Sequence, residues 1–521
     1  MKVSLIVSAN ITDSYGFNVL AAQLKNIKDV KIELQLIYIF YDFNKHYPQQ
    51  VVDDLVALCA KSDLIGISLL SSALKNSIQI SGALRKNIDC PIIWGGKHPT
   101  ADPEECIKHA DIVALSEGED TLLEVVKNIH SNKPLNKIQG TWVKGGGVIT
   151  KNELRPLETN LDRFSPPDYS IADKYVLDKK TLRIRLLQYE DLLGLQKWYP
   201  TMITRGCPNC CTFCSNSADI RLRTMRSRSP ENVILEVKGF LEQYPNTKRI
   251  FFRDDCLSAM PLEFIKNFSK QWKEKVGLPC SCSGVIADSP NFEEKIELLV
   301  DAGFTSFKMG IQSGNERVRR FVFARVGETD QVMKDATRVL GRKHIGGTNY
   351  YMITDNPYEE ERELAESIRF TSRIPRPFSL SLFSLNFYPG TVLYNRAIKD
   401  KIINKEDALQ ESTMIMKNTY LNKVFLSLRY FAIPPFMIDL MTNKTIYSSK
   451  IYIWIYNKIF HFIFLSDTPH RRIKIPRLKR IVKDLVINGN FSIFEPIRWL
   501  AWVLLNNLFN LHHKVFRRNK I

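Results

Sequence analysis

The sequence predicts an α/β protein: a doubly wound parallel sheet, a second run of parallel strands curled into a partial barrel, and a mainly helical, basic C-terminal region. Three observations carry that prediction. Short apolar runs alternate with amphipathic helical periods over residues 1–135 and again over 191–400. The apolar runs are continuous, as strands covered on both faces require. After residue 400 the alternation stops, and aromatic and basic residues in helical patterns replace it.

The elements follow in order. KVSLIVSA is the first strand. MKVSLIVSAN has one Lys and no small-residue cleavage pattern, so it reads as a buried strand and not as a leader. GFNVLAAQLKNI puts Leu20, Leu24 and Ile27 on one helical face. KIELQLIYIF, DLIGISLL, CPIIWGG and DIVALSE are further strands, with helices expected around 51–60, 73–87 and 103–110. Asp102 should cap the last helix, with Pro103 in its first turn and Glu105 closing a capping box. In such Rossmann-like or flavodoxin-like sheets, ligands sit beyond the carboxyl ends of the strands. Those ends read SANITDSYG, SLLSS, GGKHPT and SEGED, rich in the small and polar residues a large polar cofactor needs.

Residues 136–190 read as a connector with small strands (GTWVKGGGVIT) and the proline-marked FSPPDYS. From WYPTMITR onward, strands KRIFFR, PCSCSGVI, FTSFKMGI, GTNYYMI and FSLSLFSLNF alternate with helices around 230–243, 261–275, 290–302, 329–343 and 357–372. Ser229 caps the first of these and Pro230 opens it. Six such units make a partial (β/α)6 barrel of TIM type, with chemistry at its carboxyl-end loops. The expected domains are therefore 1–135, 136–190, 191–400 and 401–521.

A chain of 521 residues exceeds a single core, and its 44% apolar, 25% charged composition excludes wholesale disorder. Ten cysteines without framework spacing point to a reduced, cytoplasmic protein. The net charge of +18 is uneven: after residue 420, 17 Lys and Arg stand against Asp439, Asp467, Asp484 and Glu495. An anionic surface touching residues 421–521 is the expectation. IYIWIYNKIFHFIFL (451–465) and IRWLAWVLLNNLFNL (497–511) fall short of the roughly 20 apolar residues a membrane span needs. With HRRIKIPRLKR and HHKVFRRNK beside them, they suit interfacial helices at the inner face of an anionic membrane. Packing against the barrel as a closing cap is the competing reading. A pI of about 9.3 also admits nucleic acid, which salt-dependent binding would reveal, but nucleic acid is not the expected partner.

The sharpest chemical signal is TRGCPNCCTFCSN, which places Cys207, Cys210, Cys211 and Cys214 within eight positions. Zinc knuckles normally pair two CxxC units across a long spacer, and the adjacent Cys210 and Cys211 side chains diverge. No thioredoxin-like pattern surrounds the loop to support a redox CxxC. Read as CxxxCxxC, Cys207, Cys211 and Cys214 can cap three irons of a cubane cluster and leave the fourth open.

That motif, with Phe213 before its last Cys and a strand ahead of it, resembles the radical S-adenosylmethionine (SAM) family. FFRDD, GIQSG, YYMITDNP and FYPGT follow at successive strand ends. DLIGISLLSS, CPIIWGGKHPTADPEE and ADIVALSEGEDT resemble the cobalamin (B12)-binding domain that precedes many radical SAM domains, so the resemblance spans about residues 1–400. It implies a [4Fe-4S] cluster on Cys207, Cys211 and Cys214, with Cys210 a bystander. It implies SAM contacts from Phe213, Asp254, Asp255, Gly310, Gln312, Ser313, Pro389 and Gly390. It implies cobalamin contacts from Asn10, Ser68, Ser71, Gly95, Gly96, His98, Glu117, Gly118 and Glu119.

The sequence departs from the family's pattern in three places. No Asp-x-His-x-x-Gly follows the first strand, which leaves His98 as the histidine to suspect beneath cobalt. Gln312 stands where Glu is frequent, and ITDNP lacks a glycine that many relatives carry. Cys59, Cys90, Cys106, Cys256, Cys280 and Cys282 read as small core residues.

The resemblance implies reductive SAM cleavage to a 5′-deoxyadenosyl radical, with electrons from a flavodoxin or ferredoxin. It further implies methyl transfer through cobalamin to an unactivated carbon of a small-molecule, lipid or lipid-linked substrate. Cyclisation or skeletal change without methyl transfer is the alternative, and a corrinoid or iron–sulfur sensor is the non-enzymatic one. A methylthiotransferase would carry a cysteine after the first strand, where VSAN stands.

Overall fold

The structure is a computed structural model describing residues 1–342, 345, 347–405, 416–454, 456 and 457. It divides into two compact units, residues 1–359 with 374–416, and residues 360–373 with those from 417 onward.

In the first unit, β1 (Lys2–Val7), β2 (Glu33–Tyr38), β3 (Leu64–Ser68), β4 (Ile92–Gly95) and β5 (Ile112–Ala114) pair in parallel in the order 5-4-3-1-2. This is the flavodoxin-like order, whose switch point lies between β1 and β3. Ile6, Ile37, Ile65, Trp94 and Val113 are buried between sheet and helices, which is why these strands are mostly apolar.

The connector completes this sheet. β6 (Thr141–Gly145) and β7 (Val148–Lys151) form a hairpin on β5. β8 (Lys174–Asp178) runs parallel to β2 and carries β9 (Arg183–Leu186) antiparallel beside it. Both exposed edges of the five-stranded core are thereby paired, giving nine strands.

The second series comprises β10 (Tyr199–Thr201), the short antiparallel pair β11 (Thr204–Arg205) and β12 (Arg226–Ser227), β13 (Ile250–Phe252), β14 (Cys280–Val285), β15 (Phe304–Gln312), β16 (Thr348–Thr354) and β17 (Phe378–Ser384). Apart from β11 and β12, these strands form one parallel sheet in chain order, open between β10 and β17: a partial barrel. Phe252, Tyr350, Met352, Leu380 and Leu382 are buried, whereas their neighbours Phe251, Tyr351 and Ser381 are half-buried. Phe252 packs edge-on against Phe268 and Trp272 of the helix Leu262–Lys275, so the buried set faces the helices.

Most capping expectations hold. Ser229 accepts from the Asn232 N–H ahead of the helix Pro230–Gln243. Asp102 accepts from the Glu105 N–H, but Glu105 closes no capping box. Its carboxylate is taken instead by Lys108 at 2.7 Å and His109 at 3.2 Å, and the helix it opens covers only Pro103–Cys106.

The second unit contains the helices Glu361–Ser372, Tyr420–Tyr430, Pro435–Met441 and Lys444–Tyr447. Tyr420 meets Tyr452 and Tyr456 edge-on, and Arg373 pairs with Asp439 at 2.7 Å. Among the described residues, no helix is long and apolar enough to cross a membrane. The segment 497–511 and both basic stretches lie outside the described residues, as does most of 451–465.

Candidate active site

The cysteine loop begins where β11 ends. Gly206 adopts φ +95, and a Cβ there would fall 2.4 Å from the Thr224 carbonyl oxygen, so only glycine lets the chain turn into the loop. The Cys207 N–H then donates to the Leu222 carbonyl at 2.9 Å. The segment after β15 clasps the loop from behind. Thr212 donates its N–H to Phe323 O and its hydroxyl to Val322 O at 2.7 Å, and Phe213 meets Phe323 edge-on at 4.9 Å.

Three of the four thiols share one electrostatic environment. Burial pushes the Cys211 thiol up to about 12, with Cys214 and Cys207 adding to the shift. Cys214 is also raised by burial, while Asp255 and Cys207 act on it in the same direction. A hydrogen bond from the buried Cys256 holds Cys207 below the ordinary thiol range. Cys256 itself is fully buried, as expected of a small core residue. Cys210 turns away, its Sγ 3.9 Å from Pro208 O. Three thiols that act on one another electrostatically and a fourth directed at Pro208 O fit a cluster held at three irons. Among the described residues, no group of three or more His, Cys, Asp or Glu converges as a single metal ion requires.

Arg325 is a candidate site residue the sequence did not reveal. It is 6% exposed, has Nη1 3.9 Å from Cys211 Sγ, and is gripped by both oxygens of the fully buried Glu328. Burial opposes its charge, yet Glu328 and Cys211 hold the guanidinium above its ordinary value. Gly310 and Gln312 lie beside it. A Cβ at Gly310 would fall 2.1 Å from Gln312 Nε2 and 3.6 Å from Arg325 Nη1. Gln312 itself sits at φ +67, and Asp355 takes φ +59 in the turn that lacks a glycine. Asp255 is exposed and accepts from Asn216 Nδ2 at 3.0 Å just past the cysteines. A cation, a carboxylate and a small strand end around the cysteines match the carboxylate, amino and nucleoside groups of SAM.

Asp254 and Ser313 are both anchored to neighbouring elements, Asp254 through Oδ1 while its Oδ2 has no partner among the described residues. Asp254, 2% exposed, accepts from the Ile203 N–H and from the Thr204 N–H and hydroxyl, fastening β13 to the start of the loop. Ser313, 1% exposed, donates to Glu359 Oε1 at 2.9 Å. Pro389 and Gly390 lie against the first domain. Gly390 has φ +77, and a Cβ there would meet the Ala101 carbonyl oxygen at 2.5 Å.

At the carboxyl edge of the first sheet, Asn10, Ser68, Ser71 and Gly95 are half-buried, Gly96 is exposed, and Leu70 leaves 57% of its surface open. Small polar residues around an uncovered apolar side chain suit a cofactor with an apolar ring and amide arms. His98 is not presented to such a ligand. Its ring is fully enclosed, with Nδ1 3.0 Å from Ser71 Oγ, and burial holds it below the ordinary histidine range.

Glu117 and Glu119 are paired with arginines. Glu117 takes Arg226 through both oxygens at 2.8 and 2.9 Å, and Arg205 bridges to Glu119 at 2.6 Å. Burial opposes ionisation of Glu117, but Arg226 and Arg205 hold its carboxyl below the ordinary range. Gly118 packs on Leu20 at the start of the helix Glu119–His130. Ser116 adds a hydrogen bond to Asp219 at 3.0 Å, and the turn Ser215–Ala218 packs on the helix Lys97–Ala101. The two strand-end edges therefore face each other, and Lys97 acts on Cys214 directly.

The B12 binding domain model matches residues 1–126 and the radical SAM superfamily model matches residues 201–371. An uncharacterized methyltransferase of Pyrococcus horikoshii is 26% identical over 349 residues, covering 66% of this chain and 70% of its own. The anaerobic magnesium-protoporphyrin IX monomethyl ester cyclase of Rubrivivax gelatinosus is 22% identical over 408 residues, covering 70% and 67%. The solved cobalamin-dependent S-adenosylmethionine radical enzyme OxsB superimposes with TM-score 0.61 at 15% identity, covering 98% of this chain and 75% of that one.

Proposed function

We propose that this chain, which belongs to the radical SAM proteins carrying a B12-binding domain, is a cobalamin-dependent methyltransferase acting at an unactivated carbon. One observation carries the reading: the cysteine loop and the carboxyl edge of the first sheet pack on each other within one compact unit. Cys207, Cys211 and Cys214 would hold the [4Fe-4S] cluster. Asp255, Arg325, Gly310, Gln312 and Phe213 would hold SAM, and Asn10, Ser68, Ser71, Gly95 and Gly96 would hold cobalamin. The bound cofactors would supply reductive SAM cleavage and methyl delivery, with electrons from a flavodoxin or ferredoxin type of donor. The protein's own part is to bind, orient and exclude water. Asp255 answers the amino group of SAM, Arg325 answers its carboxylate, and the Arg205–Glu119 and Arg226–Glu117 pairs keep the two edges at a constant separation.

The test is anaerobic reconstitution with iron, sulfide and hydroxocobalamin, followed by methyl-labelled SAM. We expect a reduced-cluster resonance that SAM perturbs, and label appearing on the corrinoid. A resonance indifferent to SAM sinks the reading. The cyclase relative supports a second reading, ring closure without methyl transfer. Product mass separates the two, by gain of a methyl group or loss of hydrogen.

The excess of basic residues after residue 420 supports an anionic membrane surface as partner and a lipid or lipid-linked substrate. Deletion of residues 458–521 should then abolish co-sedimentation with anionic vesicles. Undiminished co-sedimentation would remove this part of the proposal.

A further inference from the structure

Helices cover the outside of such a barrel, so the residues that alternate with the helix-facing set line its inner face. Phe251, Lys308, Asn349 and Tyr351 are in that inner set, each half-buried. Strand register places Lys308 opposite Asn349 and Gly310 opposite Tyr351. Lys308 therefore stands two residues, or about 7 Å, further from the strand ends than Gly310.

The surroundings of Lys308 are cationic and aromatic. Its Nζ lies 3.9 Å from the centroid of the Phe251 ring, and the Arg253 guanidinium lies 5.5 Å from the same ring. Arg253 pairs with Asp13 at 2.7 Å, but its Nε is buried without a partner among the described residues. No carboxylate pairs with Lys308 among the described residues. Burial first, and then Arg253, holds the Lys308 amine below its ordinary range. Ser281, in register with Phe251 and 3% exposed, has an Oγ with no partner among the described residues. Two neighbouring cations and a buried hydroxyl against an aromatic wall are the donor set of an anion site. The carboxylate of SAM already has Arg325, which lies beside the cysteines.

We infer that the inner face of the barrel binds a substrate bearing an anionic group, carboxylate or phosphate, on Lys308, with a flat or apolar body against Phe251 and Tyr351. This names the substrate class of the methyltransferase reading and rests on it. Lys308 sits below the reacting centre, so it is a positioning residue that sets which carbon of the substrate reaches the cofactors.

The experiment uses the full-length, reconstituted protein with SAM present. 1-Naphthoate, 1-naphthyl phosphate and the neutral 1-naphthylmethanol are compared by equilibrium dialysis. The better-bound anion identifies the group, and we expect it to bind about tenfold more tightly than the alcohol. Lys308→Met should bring anion binding down to that of the alcohol, Lys308→Arg should retain the preference, and SAM affinity should not change in either. An anion preference that survives in Lys308→Met, or no preference in the unaltered protein, overturns the inference. So does a fall in SAM affinity in Lys308→Met, which would give the lysine to SAM. A cluster resonance that SAM leaves unchanged in the unaltered protein overturns instead the methyltransferase reading beneath it.

Discussion

The loop after β5 and the loop after β11 are both polar strand ends, and the structure uses them in opposite ways. In the first, Glu117 and Glu119 are consumed by Arg226 and Arg205. In the second, no charged side chain among the described residues takes the thiols of Cys207, Cys211 and Cys214 in a salt bridge. Arg325, with Nη1 3.9 Å from Cys211 Sγ, and Lys97, acting on Cys214, lower the pKa of those thiols without pairing with them. A strand end rich in functional groups is therefore not by itself a ligand site. What separates the two loops is whether opposite charge inside the protein already answers those groups.

The largest expected effect breaks the second loop. Cys207→Ala, Cys211→Ala and Cys214→Ala should each abolish the cluster, because a cubane held by two thiolates loses its mooring. Cys210→Ala should retain the iron and sulfide of the unaltered protein, since its thiol is diverted to Pro208 O. Iron and sulfide analysis after anaerobic reconstitution measures both. Equal losses in Cys210→Ala and Cys211→Ala would erase the distinction between the thiols.

A smaller effect breaks the first loop. Arg226 is buried, and Glu117→Gln leaves its charge without a full partner, which costs about 3–5 kcal/mol. Chemical denaturation should show that loss while cobalamin retention stays unchanged. Intact stability with weakened cobalamin retention would return Glu117 to the cofactor.

The sequence carried the architecture well because it depends on periodicity. Continuous apolar runs mark the parallel strands, and each parallel strand of both series lies within such a run, whereas the short antiparallel β12 was not predicted. It carried the cysteine loop well because ligand spacing is local. The carboxylates read worse, because their roles depend on residues far along the chain. Glu117 meets Arg226 across 109 positions, and Asp254 meets Thr204 across 50. Arg325 was missed for the same reason, since RVGETD has no feature that marks it as the neighbour of Cys211. The connector read as short strands, but nothing local tells a strand which sheet it will extend.

The smallest expected effect sharpens the comparison at Asp254, a strand-end acid that the scaffold holds through one oxygen without any cation. Burial pushes its carboxyl up to about 6, against the three donors that favour ionisation. An acid whose folded pKa exceeds its unfolded value binds its proton more tightly in the folded state. Its contribution to stability is therefore complete below about pH 4 and declines as pH rises through about 6, by about 3 kcal/mol at most. Asp254→Asn keeps a carbonyl oxygen for the same donors and removes the titration, so its denaturation midpoint should vary less between pH 4 and pH 7 than that of the unaltered protein. Parallel pH profiles for the two proteins, together with a loss of SAM affinity in Asp254→Asn, would place this carboxylate in the SAM site. The contrast between the two loops would then no longer rest on whether the protein has already answered each charge.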